Sequence, residues 1–271
     1  MRFVLLVAGL LTAACAGSSA FAANPSGTAI AVVQSSEAAG DTGRRLLAVQ
    51  GPVYSGDRII TGRAGEAQLQ FRDGTKLVVG ENSSIVLDAF VISADNTARQ
   101  VSIDVVKGAM RFITGSGPKD AYAISTPTAT ISVRGTAFDL EVEPAGTTRV
   151  AVFSGATQTC DRLPPARRTC ILQTANCDVS ITSPGRVPRP LTSRDERLAD
   201  LRLYFPYVTS QASLLAPFRV DTTTCGFGRA DITPSPDVVN PTIDVITRTA
   251  SVPNNPPNNP PNDPPHGPPP L

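Results

Sequence analysis

The sequence predicts an all-β fold: many short antiparallel strands in a twisted two-sheet roll or sandwich, with a small disulfide-linked C-terminal extension carrying one short helix. Three observations predict it. Short runs with a two-residue apolar period recur from about residue 66 to residue 155. Gly, Asp-Asn or Pro punctuates most of their junctions. No helical period stands out before residue 190. Strands of this kind at roughly 8–12-residue spacing build sandwiches, barrels or rolls rather than βαβ units.

The chain begins with a segment that reads as a signal peptide, residues 1–22. Met1-Arg2 supplies a positive end, and "FVLLVAGLLTAA" from Phe3 to Ala14 is apolar over about a dozen residues, too few for a spanning helix. Ala20-Phe21-Ala22 fits the small-x-small pattern for cleavage. "LTAAC" offers a lipoprotein site at Cys15 as the alternative, but Thr12 stands where such signals carry a leucine-like residue. No later segment is long and apolar enough to span a bilayer, so a periplasmic or secreted protein is expected.

Residues 28–157 carry the β pattern. In "EAQLQFRDGTKLVV", Ala67, Leu69 and Phe71 alternate with Gln68 and Gln70, the signature of a strand with one buried face. Asp73-Gly74 then supplies a tight hairpin turn. The runs "SIVLDAFVI", "QVSIDVVKG", "AMRFITG", "DAYAIST", "TATISV", "AFDLEVE" and "TTRVAVFSG" follow.

One stretch departs from a plain strand. In "TATISVRGTAFDLEV", Ile131 and Val133 are apolar on odd positions, and Phe138, Leu140 and Val142 on even ones. The inward face slips by one residue across Arg134-Gly135-Thr136. A strand can do that only through a bulge, a corner or a change of sheet. Gly135 is the natural place for the backbone angles required. Arg134, Gly135 and Thr136 therefore read as a fold motif.

Residues 158–229 read as an extension packed on the β domain. With Cys15 removed by cleavage, four cysteines remain: Cys160, Cys170, Cys177 and Cys225. An even count in an exported chain reads as disulfides, with three connectivities open. The local spacing suggests a hairpin stapled by Cys160 and Cys170, leaving Cys177 for Cys225. "SRDERLADLRLYF" is the helix candidate, with Ser193 and Glu196 at capping-box spacing, Leu198 and Leu201 on one side, and Pro206 as the stop. "YFPYVTSQASLLAPFRV" is apolar enough to pack back on the β domain. Residues 230–271 form a Pro/Asn-rich tail expected to be disordered: ten of the 25 prolines lie between 253 and 271, where neither a ladder nor a helix can persist.

Four motifs in order resemble the FecR domain family. They are Gly-Asp-x-Ile-x-Thr-Gly at 56–62, Asp-Gly-Thr at 73–75, "GAMRF" at 108–112, and Thr-Pro-x-Ala with Val-Arg-Gly-Thr-x-Phe at 126–138. The resemblance covers about residues 50–157. It implies an all-β periplasmic module in which Arg134, Gly135 and Thr136 recur as a feature of the fold, without a catalytic role. The namesake family relays iron-siderophore signals to a cytoplasmic sigma factor through a segment preceding a membrane helix. Here only Met1-Arg2 precedes the apolar run, so a stand-alone exported FecR-like domain is expected.

Composition excludes several functions. With 24 basic and 23 acidic residues the net charge is +1, which offers no footprint for nucleic acid. There is no Trp and little aromatic content for stacking sugars or bases. The only histidine, His266, lies in the tail, which leaves no His-based triad, and no cysteine pair has the two-to-four-residue gap of a zinc knuckle. Asp57, Glu66, Asp73, Glu81, Asp139 and Glu141 are carboxylate candidates by type alone. Asp57 and Asp73 sit in glycine-containing turns, and Asp139 and Glu141 on the polar half of a strand. The expectation is a non-enzyme without cofactor or metal. It would bind or scaffold an envelope protein or a cell-wall polymer. The alternative is a periplasmic sensor component that modulates a partner signalling protein.

Overall fold

The computed structural model describes residues 24–233, apart from 42, 119 and 175. The signal segment, Cys15 and the tail beyond 233 lie outside the described residues. The strands in chain order are β1 (Gly27–Val33), β2 (Ser36–Gly40), β3 (Gly43–Leu46), β4 (Pro52–Val53) and β5 (Arg58–Thr61). They continue with β6 (Glu66–Phe71), β7 (Lys76–Val79), β8 (Ser84–Ile92), β9 (Ala98–Ile113) and β10 (Tyr122–Ser125). The last are β11 (Ala129–Val142), β12 (Thr148–Asp161), β13 (Cys170–Gln173), β14 (Asp178–Thr182) and β15 (Arg189–Pro190). Hydrogen bonding links all fifteen into one open sheet, antiparallel except where β10 runs parallel to β9.

Five strands precede the first run the alternation marks. β6 and β7 form the hairpin around Asp73-Gly74, with Leu69 opposite Leu77. The Asp73 carboxylate accepts from Thr75 N at 3.0 Å, from the Thr75 hydroxyl at 2.6 Å and from the Tyr122 phenol at 3.0 Å. Burial and the nearby Asp73 charge push that phenol up to about 12. Asp57 likewise accepts from Tyr54 N at 2.8 Å and pairs with Arg45 at 2.5 Å.

Several runs expected as separate short strands are continuous. β9 joins "QVSIDVVKG" to "AMRFI" through Gly108, and β11 joins "TATISV" to "AFDLEV" through Gly135. The glycines are bends inside long strands. The parity slip recurs at Gly108: Val101, Ile103 and Val105 precede it on odd positions, Met110 and Phe112 follow on even ones, and all five enter the same core. That core also takes Leu69, Leu77, Phe138 and Leu140, with Phe71 stacked on Phe90 at 4.0 Å between ring centroids. Each such side chain contributes about 1.5–3 kcal/mol on burial.

The extension holds two helices rather than one, α1 (Arg194–Tyr204) and α2 (Pro206–Thr209). Pro206 ends the first and opens the second, as proline's missing N–H permits at a first helical position. Ser193 makes no side-chain cap; Glu196 pairs instead with Arg189 at 2.8 Å. Leu201, Phe205 and Val208 pack with Ala151, Phe153 and Val179 in a second core. Tyr207, Leu214 and Phe218 close a third over Val78. Cys160 bonds Cys170, and Cys177 bonds Cys225. The first disulfide ties β12 to β13, and the second fixes the end of the extension to the strand entering β14.

This packing overturns one expectation. The Gln68 face of β6 is only partly solvated: Gln70 is exposed, but Gln68 is fully buried, because residues 213–215 lie across it. Asp139 likewise lies under the extension rather than in water. Part of the sheet's second face is covered by chain far along the sequence, which no local alternation reports.

Candidate functional site

The Arg-Gly-Thr motif is where the β11–β12 ladder is irregular. Arg134 pairs with Ala156, Ala137 with Ser154 and Phe138 with Val152. β11 thus carries an extra residue at 135–136, and β12 carries one at Phe153. The two bulges cancel, so the register is the same on both sides while the inward parity of both strands switches. Gly135 has φ +60° and Gly155, across the ladder, φ +75°. Thr136 seals the gap: its hydroxyl donates to Ala156 O at 2.7 Å and accepts from Ala156 N at 3.1 Å and Arg134 N at 3.2 Å. Arg134 is exposed and lines a shallow hollow with Asp120, Ser132 and Gln158.

Beneath the extension lies a polar network that the alternation concealed. Arg111 is fully buried. Its Nε and Nη2 donate to the two Asp139 carboxylate oxygens at 2.7 and 2.9 Å, and its Nη1 donates to Gln211 Oε1 at 2.6 Å. The Phe153 and Tyr207 rings each lie 5.3 Å from the guanidinium. Next to it, the Tyr207 hydroxyl and the Ser213 hydroxyl donate to Glu66 Oε2 at 3.0 and 2.8 Å, and Gln68 Nε2 donates to Glu66 Oε1 at 2.8 Å. Burial, then the Glu66 charge, raises the Tyr207 phenol well above its ordinary value. These carboxylates accept from Tyr207 and Ser213 or pair with the Arg111 that also holds Gln211, so they tie the extension to the sheet.

An open cleft of about 610 Å³ runs between the sheet and α1–α2. On the sheet side it is lined by Glu66, Lys107, Glu141, Val142 and Pro144, and on the extension side by Leu203, Tyr204 and Pro206. Glu81, Asn82, Ser210 and Ser213 also line it. Glu141 belongs to a cluster around one guanidinium. Arg149 Nη1 lies 2.8 Å from Glu143 and 3.6 Å from Glu141, its Nε donates to Asp200 at 3.0 Å, and its guanidinium stacks 3.5 Å from the Tyr204 ring centroid. Three carboxyls share one cation. Burial pushes the Glu141 carboxyl up to about 7 against the pull of Arg149, with Glu143 and Asp200 adding to the rise. Glu141 Oε2 is buried without a hydrogen-bond partner among the described residues.

Of the six carboxylate candidates, the structure brings Glu66, Glu81 and Glu141 to one cleft and leaves Asp57, Asp73 and Asp139 in separate structural contacts. No group of three acidic, Cys or His side chains suited to a metal occurs among the described residues. His266 lies outside them. Sequence reasoning missed Arg111, Gln211, Arg149 and the cleft itself. The apolar stretch "YFPYVTSQASLLAPFRV" signalled that something packs on the β domain, but not which polar side chains it would bury.

Residues 57–158, which span β5 to most of β12, match the model of the FecR protein family. The chain carries a FecR domain. No curated protein matches the chain. Two crystal structures, each of a candidate anti-sigma factor from Parabacteroides distasonis, resemble the chain. One is 13% identical, with 52% of this chain and 62% of that chain covered at a TM-score of 0.37. The other is 12% identical, with 71% and 91% covered at a TM-score of 0.39. The chain thus spans 62% of the first of these structures. The FecR domain contributes Glu66, Glu81, Lys107, Glu141 and Pro144 to the cleft lining, and the extension after 158 contributes Leu203 to Ser213.

Proposed function

We propose that this chain is a non-enzymatic, exported binding or scaffold module of the cell envelope, and that it meets its partner, a protein or a cell-wall polymer, at the cleft between the FecR domain and the extension. The observation that carries this reading is the division of labour among the polar groups. Asp57, Asp73, Asp139 and Glu66 are each consumed in contacts that hold the fold, whereas Glu81 and Lys107 face the open cleft with no side-chain partner among the described residues. FecR-type proteins are regulatory rather than enzymatic, which fits a surface that recognises without reacting. Two disulfides support export into an oxidising compartment. No helix among the described residues is long and apolar enough to cross a membrane.

A photo-crosslinker placed at Asn82 of the chain, expressed in its native envelope, tests this. A discrete adduct that Glu81→Lys and Lys107→Glu diminish supports the reading; protease treatment of the adduct separates a protein partner from a polymer. Absence of any adduct at the cleft, with adducts from a probe elsewhere on the surface, overturns it. Intact mass of the same preparation reports whether the mature chain starts after Ala22. The sensor reading is the second one, favoured by the FecR match itself. It requires that deleting the gene change transcription from a sigma-factor-dependent promoter.

A further inference from the structure

The two disulfides sit in different surroundings. Cys177 and Cys225 are each 4% exposed and belong to the second core, with Phe153, Leu201 and Phe205. Cys160 and Cys170 stand directly opposite each other in the β12–β13 ladder. Cys160 is covered, but Cys170 is exposed. β13 has four residues and pairs with β12 alone, so Cys170 lies on an edge strand. A thiolate in solution can approach the Cys170 sulfur without disturbing the sheet. To approach either sulfur of the second disulfide, it must first open the core.

The exposed disulfide is also backed by contacts that would survive its cleavage. The buried Asp161 carboxylate accepts from Leu163 N at 3.0 Å and from Thr169 N at 2.9 Å, and Asp161 N donates to Thr169 O at 3.0 Å. Arg162 N donates to Thr128 O at 3.2 Å, and Arg162 Nη1 donates to Thr126 O at 2.9 Å. Arg168 Nη2 donates to Thr130 Oγ1 on β11. On the other side of the disulfide, Thr159 faces Ile171 and Thr157 faces Gln173 in the ladder. These contacts bracket Cys160 and Cys170 and keep them opposed when the S–S bond is cut, so the pair is positioned to close again. The loop between them carries Arg162, Arg167 and Arg168 against Asp161 as its one acid, and positive surroundings favour a thiolate.

We propose that the Cys160–Cys170 disulfide is a thiol-exchange site, which a dithiol opens and the disulfide form of that dithiol closes, while the sheet stays folded. One thiolate of the dithiol attacks Cys170 Sγ. A mixed disulfide forms, the Cys160–Cys170 bond breaks, and Cys160 Sγ leaves as a thiolate and takes up a proton. The second thiolate of the dithiol then attacks its own partner sulfur, and Cys170 Sγ leaves in the same way. Two electrons pass from the dithiol, which becomes a disulfide, to the cystine, which becomes two thiols. Each step runs backwards when the disulfide form is in excess. The site is separate from the cleft, so it stands or falls independently of what the cleft binds.

The test treats the full chain with dithiothreitol at neutral pH without denaturant, quenches with iodoacetamide at intervals and maps the alkylated peptides. Alkylation of Cys160 and Cys170 on the order of tenfold faster than that of Cys177 and Cys225 is the expected result. The half-reduced chain should keep a cooperative circular dichroism melt, and it should recover the Cys160–Cys170 peptide when oxidised glutathione replaces dithiothreitol. Equal rates for the two disulfides, reduction of Cys160–Cys170 only in urea, or loss of the folded signal on its reduction would each overturn the proposal. So would re-oxidation to scrambled pairs. Single variants locate the point of attack. Cys160→Ser leaves the Cys170 thiol and Cys170→Ser leaves the Cys160 thiol. Toward a chromogenic aryl disulfide the first should react on the order of tenfold faster than the second, in chains whose melts show the fold retained. Equal or reversed reactivity would refute the assignment of Cys170 as the attacked sulfur.

Discussion

Gly155 should be less replaceable than Gly135, although only Gly135 belongs to the motif that catches the eye. Both hold positive φ, at +75° and +60°. A side chain in that left-handed region costs about 1–2 kcal/mol for an L-residue. A Cβ on Gly135 would meet nothing within 4 Å. A Cβ on Gly155 would overlap the Gly135 carbonyl oxygen, with the carbonyl carbon at 2.8 Å and Thr136 Cα at 2.9 Å. Those are backbone atoms inside the paired bulges, so relief requires the two strands to part. Overpacking of this kind adds about 1–3 kcal/mol. Gly135→Ala is therefore expected to cost about 1–2 kcal/mol and Gly155→Ala about 2–5 kcal/mol. At about 2–4 °C per kcal/mol for a chain of this size, the melting temperatures should fall by about 2–8 °C and 4–20 °C. Gly135→Val should exceed Gly135→Ala, because branching at Cβ makes positive φ worse. Arg134→Ala, exposed and without an ion pair among the described residues, should stay within a few tenths of a kcal/mol. Thermal melts of the purified mature variants decide it. Equal or inverted costs for the two alanine variants would refute the paired-bulge reasoning. A Gly135→Val protein that melts like the parent but loses its envelope adduct would make the motif a site after all.

Three further outcomes are expected. Asp139→Ala strands the fully buried Arg111 guanidinium and should lower stability by about 3–5 kcal/mol in urea unfolding, while Arg111→Met with Asp139→Leu should recover most of that loss. The folded chain keeps the Glu141 proton up to a pKa of about 7 whereas an unfolded one releases it near 4.5, so folding binds the proton and stability falls as pH rises between those values. Glu141→Gln should flatten that decline in melts run from pH 5 to 8 and melt higher than the parent at pH 8. Closing the 48-residue separation between Cys177 and Cys225 stabilises by about 4 kcal/mol in the chain-entropy model, against about 3 kcal/mol for the 10-residue separation of Cys160 and Cys170. The paired Ser variant at 177 and 225 should therefore melt below the one at 160 and 170.

What the sequence disclosed was governed by how local the cause was. The β6–β7 hairpin, the parity slip at Gly135 and the α1 helix each depend on residues within about a dozen positions, and each is visible in the string of side chains. The same slip at Gly108 was equally visible in Val101, Ile103, Val105, Met110 and Phe112. A parity count along every strand would have shown that neighbouring runs were one bent strand. The buried network was not legible. Arg111 pairs with Asp139 twenty-eight positions on and with Gln211 a hundred positions on. In sequence, each looks like the polar partner of an alternating strand or loop. Gln68 misled for the same reason: alternation reports which face is apolar, and is silent about whether the other face meets water or a later segment.

Arg111 also shows that kinship and cooperativity have different borders here. The stretch that matches the FecR family stops at 158, yet β6 leans on β1, which precedes it, and the buried guanidinium needs Tyr207 and Gln211, which follow it. A fragment cut to 57–158 would keep Arg111 and Asp139 but hand them to solvent, bare the inner edge of β6, and lose the cystine that anchors the extension. The matched stretch is thus shorter than the packed body it belongs to. Residues 24–233 should unfold in one concerted transition, and a graft of the matched stretch onto another protein would transplant a sheet that is missing its closure.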